Sequence, residues 1–305
     1  MAPATSYDAS QAAGQSTGCL FVVATPIGNL ADITKRALDA LSSADVVLAE
    51  DTRVTGKLLA AFDIHATLER CDENVIAQRS ARLVQRMLAG ETMAFCSDAG
   101  MPGVSDPGLV LVDAAREAGV AVEVLPGASA VPTALVAAGF AGTAFYFGGF
   151  LPRKKHACKE LLTSLKKLDA ALVFYESPHR VAASAAIIAE VFGTRRMALC
   201  RELTKVHEEV LRLPADEMAR ELAERDAVKG EIALVIAPPA RGEKDAVDED
   251  ALDAAIRQGL ADGTKKAALA KQLSREFGVS KNDLYARMLE MERGGTQEDI
   301  ILNKV

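Results

Sequence analysis

The sequence has no Cys-x-x-Cys pair, no surplus of positive charge and no amino-terminal hydrophobic leader, and each absence excludes a class of protein. Its five cysteines, Cys19, Cys71, Cys96, Cys158 and Cys200, are scattered and odd in number. That argues against a disulfide framework or a structural zinc site and suits a reducing, cytoplasmic compartment. Cys19, Cys96 and Cys200 fall in strand-like runs and are expected as small buried hydrophobes. The histidines, His65, His156, His179 and His207, share no ligand spacing, so no metal site is expected. A formal net charge of -7 excludes a uniformly basic nucleic-acid coat but leaves room for local basic patches. Residues 1–17 are small and polar and are expected as a disordered tail, not a signal peptide. The uncharged run between Glu123 and Arg153 is long enough to span a membrane. It is broken by Pro126, Gly127, Pro132, Gly139, Gly142, Gly148 and Gly149, which makes it a buried helix flanked by loops and a strand. No GxGxxG follows the first strand and no GxxxxGK[ST] occurs, which weakens dinucleotide oxidoreductase and NTPase readings.

What is present fits an α/β protein. The chain of 305 residues is 50% hydrophobic and 25% charged, enough for two domains and a sizeable core. Short apolar strands at 20–24, 46–49, 92–96 and 120–125 alternate with helical patterns at 32–41, 75–88 and 109–118. This alternation predicts parallel strands with crossover helices. The pattern restarts with strands at 145–150, 171–175, 197–201, 209–213 and 232–237 and helices at 158–168 and 180–191. The short interval between 201 and 209 predicts an antiparallel pair, hence a mixed sheet. The expected organisation is a tail over 1–17, a parallel-sheet domain over 18–140 and a mixed-sheet domain over 141–240. An acidic linker over 241–250 and a helical tail over 251–305 complete it.

Four loops follow strands and carry glycine, proline and small polar residues. They are Thr25-Pro26-Ile27-Gly28-Asn29-Leu30, the twelve residues 97–108, Pro126-Gly127-Ala128-Ser129-Ala130, and Tyr175-Glu176-Ser177-Pro178-His179-Arg180. Loops at the carboxyl ends of parallel strands converge on one crevice. Glycine admits close backbone approach to a ligand and proline fixes that approach. Ordinary turn chemistry explains any one such loop; four together, one of them twelve residues long, point to a ligand.

In this order the loops resemble those of the tetrapyrrole methylase superfamily. Residues 26–29 stand where that family has a Gly-Pro-Gly-Asp-like turn, 97–102 resemble its Gly-Asp-Pro segment, and 126–129 its Pro-Gly-(Val/Ala)-(Ser/Thr) turn. Segments 24–29, 49–53, 97–108, 174–180 and 200–205 are closest to the branch that methylates a cytidine ribose of 16S ribosomal RNA. The resemblance covers about 19–240 and continues into the tail. It implies S-adenosylmethionine bound between two α/β domains, a homodimer without membrane association, and 16S rRNA or the 30S subunit as partner. It also implies a cofactor pocket of Ile27, Asp98, Gly100, Val104, Ser129, Ala130, Tyr175, Leu203 and Glu231. One departure is Ser97-Asp98-Ala99 in place of the Gly-Asp-Pro loop.

Methyl transfer to a hydroxyl requires a group that assists loss of its proton. Glu50-Asp51-Thr52-Arg53 and the 201–209 segment supply candidates, the competing explanation for each being a structural ion-pair network. Glu50, Asp51 and Lys205 are candidate catalytic groups, and Arg53 and Arg201 candidate phosphate ligands. Arg153, Lys154 and Lys155 open a basic segment opposed only by Glu160, and Lys265-Lys266 precede a helix–turn–helix-like pair at 268–277 and 281–291. Both are candidate RNA contacts, against a solvated helix face and a packing appendage respectively. Two other functions stay open: methylation of a corrin or sirohaem precursor, and a non-catalytic RNA-binding assembly factor.

Overall fold

The computed structural model describes residues 17–104, 108–140, 142, 144–240, 249–277 and 279–302. The tail over 1–16, residues 105–107 of the long loop, Gly278 and most of the acidic linker lie outside the described residues. The chain divides into two compact units at the Pro238–Pro239 bond.

The first unit holds two five-stranded sheets. Strands β1 (Cys19–Val23), β2 (Val46–Ala49), β3 (Thr67–Arg70), β4 (Met93–Cys96) and β5 (Ala121–Leu125) form one, in the order β3-β2-β4-β1-β5. Every pairing in it is parallel. The connections are helices α1 (Lys35–Ser43), α2 (Thr52–Ala61), α3 (Glu73–Leu88) and α4 (Gly108–Glu117). Strands β2 and β4 are buried at every position, as central parallel strands covered on both faces must be. Thr34 and Asp51 cap α1 and α2 by accepting backbone N–H groups. Each fully buried Leu, Val or Phe side chain contributes about 1.5–3 kcal/mol.

After α5 (Ala130–Ala138) the second sheet follows. It comprises β6 (Phe145–Phe150), β7 (Ala171–Glu176), β8 (Arg196–Arg201), β9 (Glu209–Pro214) and β10 (Ile232–Ile236), in the order β6-β7-β10-β8-β9. Only β6 and β7 are parallel; β10 runs antiparallel to β7 and β8, and β9 antiparallel to β8. The sheet is mixed, with the antiparallel pair where the sequence places it. Helices α6 (Lys155–Leu165), α7 (Val181–Phe192) and α8 (Ala215–Glu224) complete it, with a core that includes Leu172, Phe174, Ile188, Leu199 and Leu234 on one face. Helix α5 lies before residue 140, yet Val131, Ala134 and Ala138 pack on the opposite face of this second sheet, against Val173, Ala198, Cys200 and Val235.

The second unit contains α9 (Glu249–Ala261), α10 (Lys266–Phe277) and α11 (Lys281–Leu302). Helix α9 opens inside the expected linker. The core of this unit is Leu252, Ile256, Leu269, Leu273, Leu284 and Met288. Ser280 caps α11 by accepting Asp283 N–H at 3.2 Å while its hydroxyl donates to Asp283 Oδ2 at 2.7 Å. Among the described residues no helix is long and apolar enough to cross a membrane.

Candidate active site

The topology dictates where the loops meet. The carboxyl ends of β1, β2, β4 and β5 lie on one edge of the parallel sheet. In the mixed sheet the carboxyl ends of β6, β7 and β8 lie beside the amino end of the antiparallel β10. Loops from both edges line one cavity of about 570 Å³. That lies within the range of small-ligand sites.

All nine residues expected around a cofactor line this cavity. Ile27, Asp98, Gly100, Val104, Ser129 and Ala130 come from the first sheet's loops; Tyr175, Leu203 and Glu231 come from the second. The loops are tied together by backbone. Thr25 N–H donates to Gly100 O at 2.9 Å and Gly100 N–H to Thr25 O at 3.1 Å. Gly100 has φ +82°, with Ile27 Cγ2 3.2 Å from where a Cβ would stand, so glycine is required there.

Of the candidate catalytic groups, Glu50 lines the cavity directly, immediately after β2. Asp51 does not. Its carboxylate accepts Arg53 N–H at 2.8 Å and Arg53 Nε at 3.0 Å, and the hydrogen bonds from Arg53 hold it well below the usual carboxylate range. Arg53 is thereby folded back onto the cap of α2, with its side chain 87% exposed. The Asp51 N–H donates to Asp98 Oδ1 at 3.0 Å. Burial pushes the Asp98 carboxyl above its ordinary value, and the nearby Asp51 charge adds to this against the pull of that N–H.

Lys205 stands outside the cavity lining. Its Nζ donates to Glu202 Oε1 at 2.8 Å and to Glu231 Oε2 at 2.9 Å. Burial disfavours its charge, but these two carboxylates outweigh that and raise it above the usual lysine value. The turn that carries it is strained: Glu202 and Thr204 have φ +53° and +64°, costing about 1–3 kcal/mol each. Arg201 is committed to Glu209 at 2.8 Å, so it is a structural ion pair in this arrangement. Cys200 lines the cavity, but burial raises its thiol to about 12, which excludes thiolate chemistry at neutral pH.

The basic segment splits into two kinds. Lys155 and Lys159 both donate to Glu190 of α7, at 2.8 and 3.2 Å. Arg153 and Lys154 are exposed and meet no acidic partner among the described residues. Their loop is fixed beside the cavity, because Arg180 NH2 donates to Leu151 O at 2.7 Å and Pro152 O at 3.2 Å. Arg180 is itself held by the buried Glu176, which also accepts Ser177 N–H and the Ser184 hydroxyl. Lys265 and Lys266 belong to the second unit, at the start of α10. The structural roles of Glu176 and Phe150, both cavity residues, were not legible beforehand. A glycine pair inside a strand was the available signal for Phe150.

A family model described as Tetrapyrrole (Corrin/Porphyrin) Methylases matches residues 19–219. Proteins named ribosomal RNA small subunit methyltransferase I are similar over most of the chain. That of Halalkalibacterium halodurans is 41% identical, over 88% of this chain and 93% of its own. That of Vibrio cholerae serotype O1 is 42% identical, over 89% and 94%, and that of Escherichia coli O157:H7 is 40% identical, over 92% and 98%. Among solved structures, a diphthine synthase superposes with a TM-score of 0.58 at 15% identity, over 74% of this chain and 93% of its own. The uroporphyrin-III-C-methyltransferase of Thermus thermophilus gives 0.53 at 24%, over 72% and 94%. These structures share the fold. By the family match and the close relatives, this chain belongs to the tetrapyrrole methylase family, in the branch of the small-subunit methyltransferase I proteins.

Proposed function

We propose that this protein transfers a methyl group from S-adenosylmethionine to small-subunit ribosomal RNA, onto the ribose 2′-hydroxyl of a decoding-region cytidine. The observation that carries the reading is the cavity itself. Nine residues, from five loops and the end of β7, each expected at a cofactor, line one space. The relatives' printed names supply the substrate class.

The donor set suits an adenosyl amino acid. Ile27, Val104 and Leu203 offer apolar walls, Asp98 and Glu231 offer carboxylates for hydroxyl and ammonium groups, and Gly100 brings backbone close to a ligand. When bound, S-adenosylmethionine supplies an electrophilic methyl group on a sulfonium centre. The chain's own task is to hold the hydroxyl in line, exclude water and accept its proton. Glu50 takes the role of base. Asp51 is too weakly basic under Arg53 and is a positioning residue for the Asp98 loop. Lys205, held protonated, positions Glu231. Arg153 and Lys154 contact phosphate.

The protein acts in the cytoplasm as a homodimer on 16S rRNA or the 30S subunit. Exposed Leu109 and Val110 on α4 and Val124 on the edge strand β5 support self-association.

The test is methyl transfer from labelled S-adenosylmethionine to 30S subunits lacking the modification, with nuclease mapping of the product. Label on one decoding-region ribose is expected. Absence of label, with S-adenosylhomocysteine raising the melting temperature, shifts the assignment to a tetrapyrrole substrate. Absence of both leaves an RNA-binding assembly factor.

A further inference from the structure

Strand β6 contains a device that aims one aromatic ring at the mouth of the cavity. Its sequence ends Phe147-Gly148-Gly149-Phe150. Successive side chains of a strand point to opposite faces, so residues 147 and 150 belong on opposite sides of the sheet. They do not lie so here. Phe147 pairs with Val173 and Phe150 with Tyr175, three steps on β6 against two on β7. The extra residue is a β-bulge, and it moves Phe150 to the face of Phe147 and Tyr175, the face that carries the cavity.

Both glycines are needed for this. A Cβ on Gly148 would collide with the Phe174 ring, and Gly149 has φ +64°. The re-aimed ring is not buried by the move. Phe150 contacts Tyr175 in a T-shaped arrangement, centroids 5.6 Å apart, and remains 58% exposed. Tyr175 is braced from its other neighbour by Phe147 at 5.0 Å. An aromatic ring held in one orientation and left open beside a cavity offers a π face on which a planar base can stack. Three and four residues on, Arg153 and Lys154 stand exposed without acidic partners among the described residues, on the loop that Arg180 fastens beside the same rim. An aromatic face next to uncommitted cations is the arrangement that holds single-stranded RNA: bases stack on the ring and phosphates meet the cations.

We infer that Phe150 is the stacking platform for a base of the RNA at the methylated site, placed there by the Gly148-Gly149 bulge and flanked by phosphate contacts from Arg153 and Lys154. The inference rests on the RNA-methylating reading above and adds to it the side chain that grips the nucleobase. Phe150 shares the cavity lining with the cofactor residues, of which Asp98 and Glu231 are exposed as well, so cofactor affinity measured beside turnover is what separates a base platform from a cofactor contact.

The experiment compares wild-type protein with Phe150→Ala, Phe150→Leu and Phe150→Trp. Steady-state methyl transfer to unmodified 30S subunits is measured alongside calorimetric binding of S-adenosylhomocysteine. Phe150→Ala is expected to lower kcat/KM for 30S subunits by about 10- to 100-fold, mainly through KM, with S-adenosylhomocysteine affinity within about twofold of wild type. Phe150→Trp restores most of the loss; Phe150→Leu, apolar but without a π face, does not. An unchanged kcat/KM in Phe150→Ala overturns the inference, and so does a matching loss of S-adenosylhomocysteine affinity, which makes Phe150 a cofactor contact. Full rescue by Phe150→Leu also overturns it, reducing the ring to bulk. Methyl transfer by the wild type in these cases leaves the parent reading standing. A wild type that binds S-adenosylhomocysteine but methylates no RNA removes the parent reading and this inference together.

Discussion

Asp98 Oδ1 accepts the backbone N–H of Asp51 at 3.0 Å, so the loop after β4 is fastened to the cap of α2, one residue beyond Glu50 in the cavity wall. One carboxylate oxygen is spent on architecture and the other remains for a ligand. Replacing Asp98 with Asn keeps an acceptor for the N–H but removes the charge; replacing it with Ala removes both. The Asn variant is expected to fold with a near-wild-type melting temperature and to bind S-adenosylhomocysteine about tenfold more weakly. The Ala variant is expected to lose more affinity and also to melt slightly lower, since losing a solvent-accessible hydrogen bond costs about 0.5–1.5 kcal/mol. Calorimetry and thermal denaturation of the two variants separate ligand contact from loop tether.

Glu50 lines the cavity, and in the proposed reaction it is the proton acceptor. Glu50→Gln preserves shape and removes basicity. Single-turnover methyl transfer is expected to slow by about 10²–10⁴-fold, the span of general-base contributions. Binding of S-adenosylhomocysteine is expected to be unchanged. The companion Asp51→Asn is expected to slow turnover far less than Glu50→Gln. An Asp51 variant as slow as the Glu50 variant reverses the assignment.

Gly28 is the point of contact between the first loop and the strained turn after β8. A Cβ there would stand 2.5 Å from Lys205 Cγ and 2.9 Å from both Leu203 O and Thr204 Oγ1. Nearby, Asn29 N–H donates to Thr204 Oγ1 at 3.1 Å. The lysine stem can move, but the Leu203 carbonyl cannot without shifting Leu203 in the cavity wall. Gly28→Ala is expected to cost about 1–3 kcal/mol, a fall in Tm of about 2–4 °C per kcal/mol. It is also expected to weaken S-adenosylhomocysteine binding. Intact binding in a destabilised variant would show that the turn and the pocket are uncoupled.

The alternation of strand and helix, the mixed second sheet and the four loops were legible in the sequence, because glycine and proline mark loops and apolar runs mark buried strands. Strand β3 was not, because Thr67–Arg70 is an edge strand with no buried residue. Helix α2 was hidden by β-branched Val54 and Thr55 next to Gly56, residues of low helix propensity that its Asp51 cap overrides. At the site, identity of the loop residues carried over directly, but commitments made over long range did not. Nothing near Lys155 announces Glu190, thirty-five residues later on α7. The antiparallel pair expected between 201 and 209 does set Glu209 opposite Arg201, but the sequence leaves open whether Arg201 serves that ion pair or a phosphate. The FGGF run showed a bulge signal; only the register shows which face receives Phe150.

Glu209 joins Arg201 and Arg225, accepting at 2.8 Å from each. Hydrogen bonds from Arg225, with those from Arg201, lower its carboxyl to about 2 despite its partial burial. A depressed carboxylate contributes stability above its unfolded pKa and loses it as pH falls through the folded one. The ion triad therefore supports the second sheet fully above about pH 5 and fades toward pH 2. Glu209→Gln is expected to lower stability by about 1–3 kcal/mol at pH 7, and the gap to wild type closes as pH falls from 5 toward 2. Denaturant midpoints across that window check the sign; a gap that widens with acid contradicts it.

Arg153 and Lys154 differ from Lys155 in having no acidic partner among the described residues, and salt dependence reads that difference. Each phosphate neutralised on single-stranded RNA contributes about 0.7 to the slope of log K against log salt, and about 0.9 on a duplex. Replacing Arg153 and Lys154 together with Ala is expected to reduce the slope for 16S rRNA binding by about 1.4–1.8, without altering S-adenosylhomocysteine affinity. Lys155→Ala removes a charge already held by Glu190 and is expected to change the slope little. Equal effects from Lys155 and Lys154 would mean that the Glu190 pair opens to let RNA in. In that case Glu190→Gln, which frees both Lys155 and Lys159, is expected to tighten RNA binding and steepen the slope.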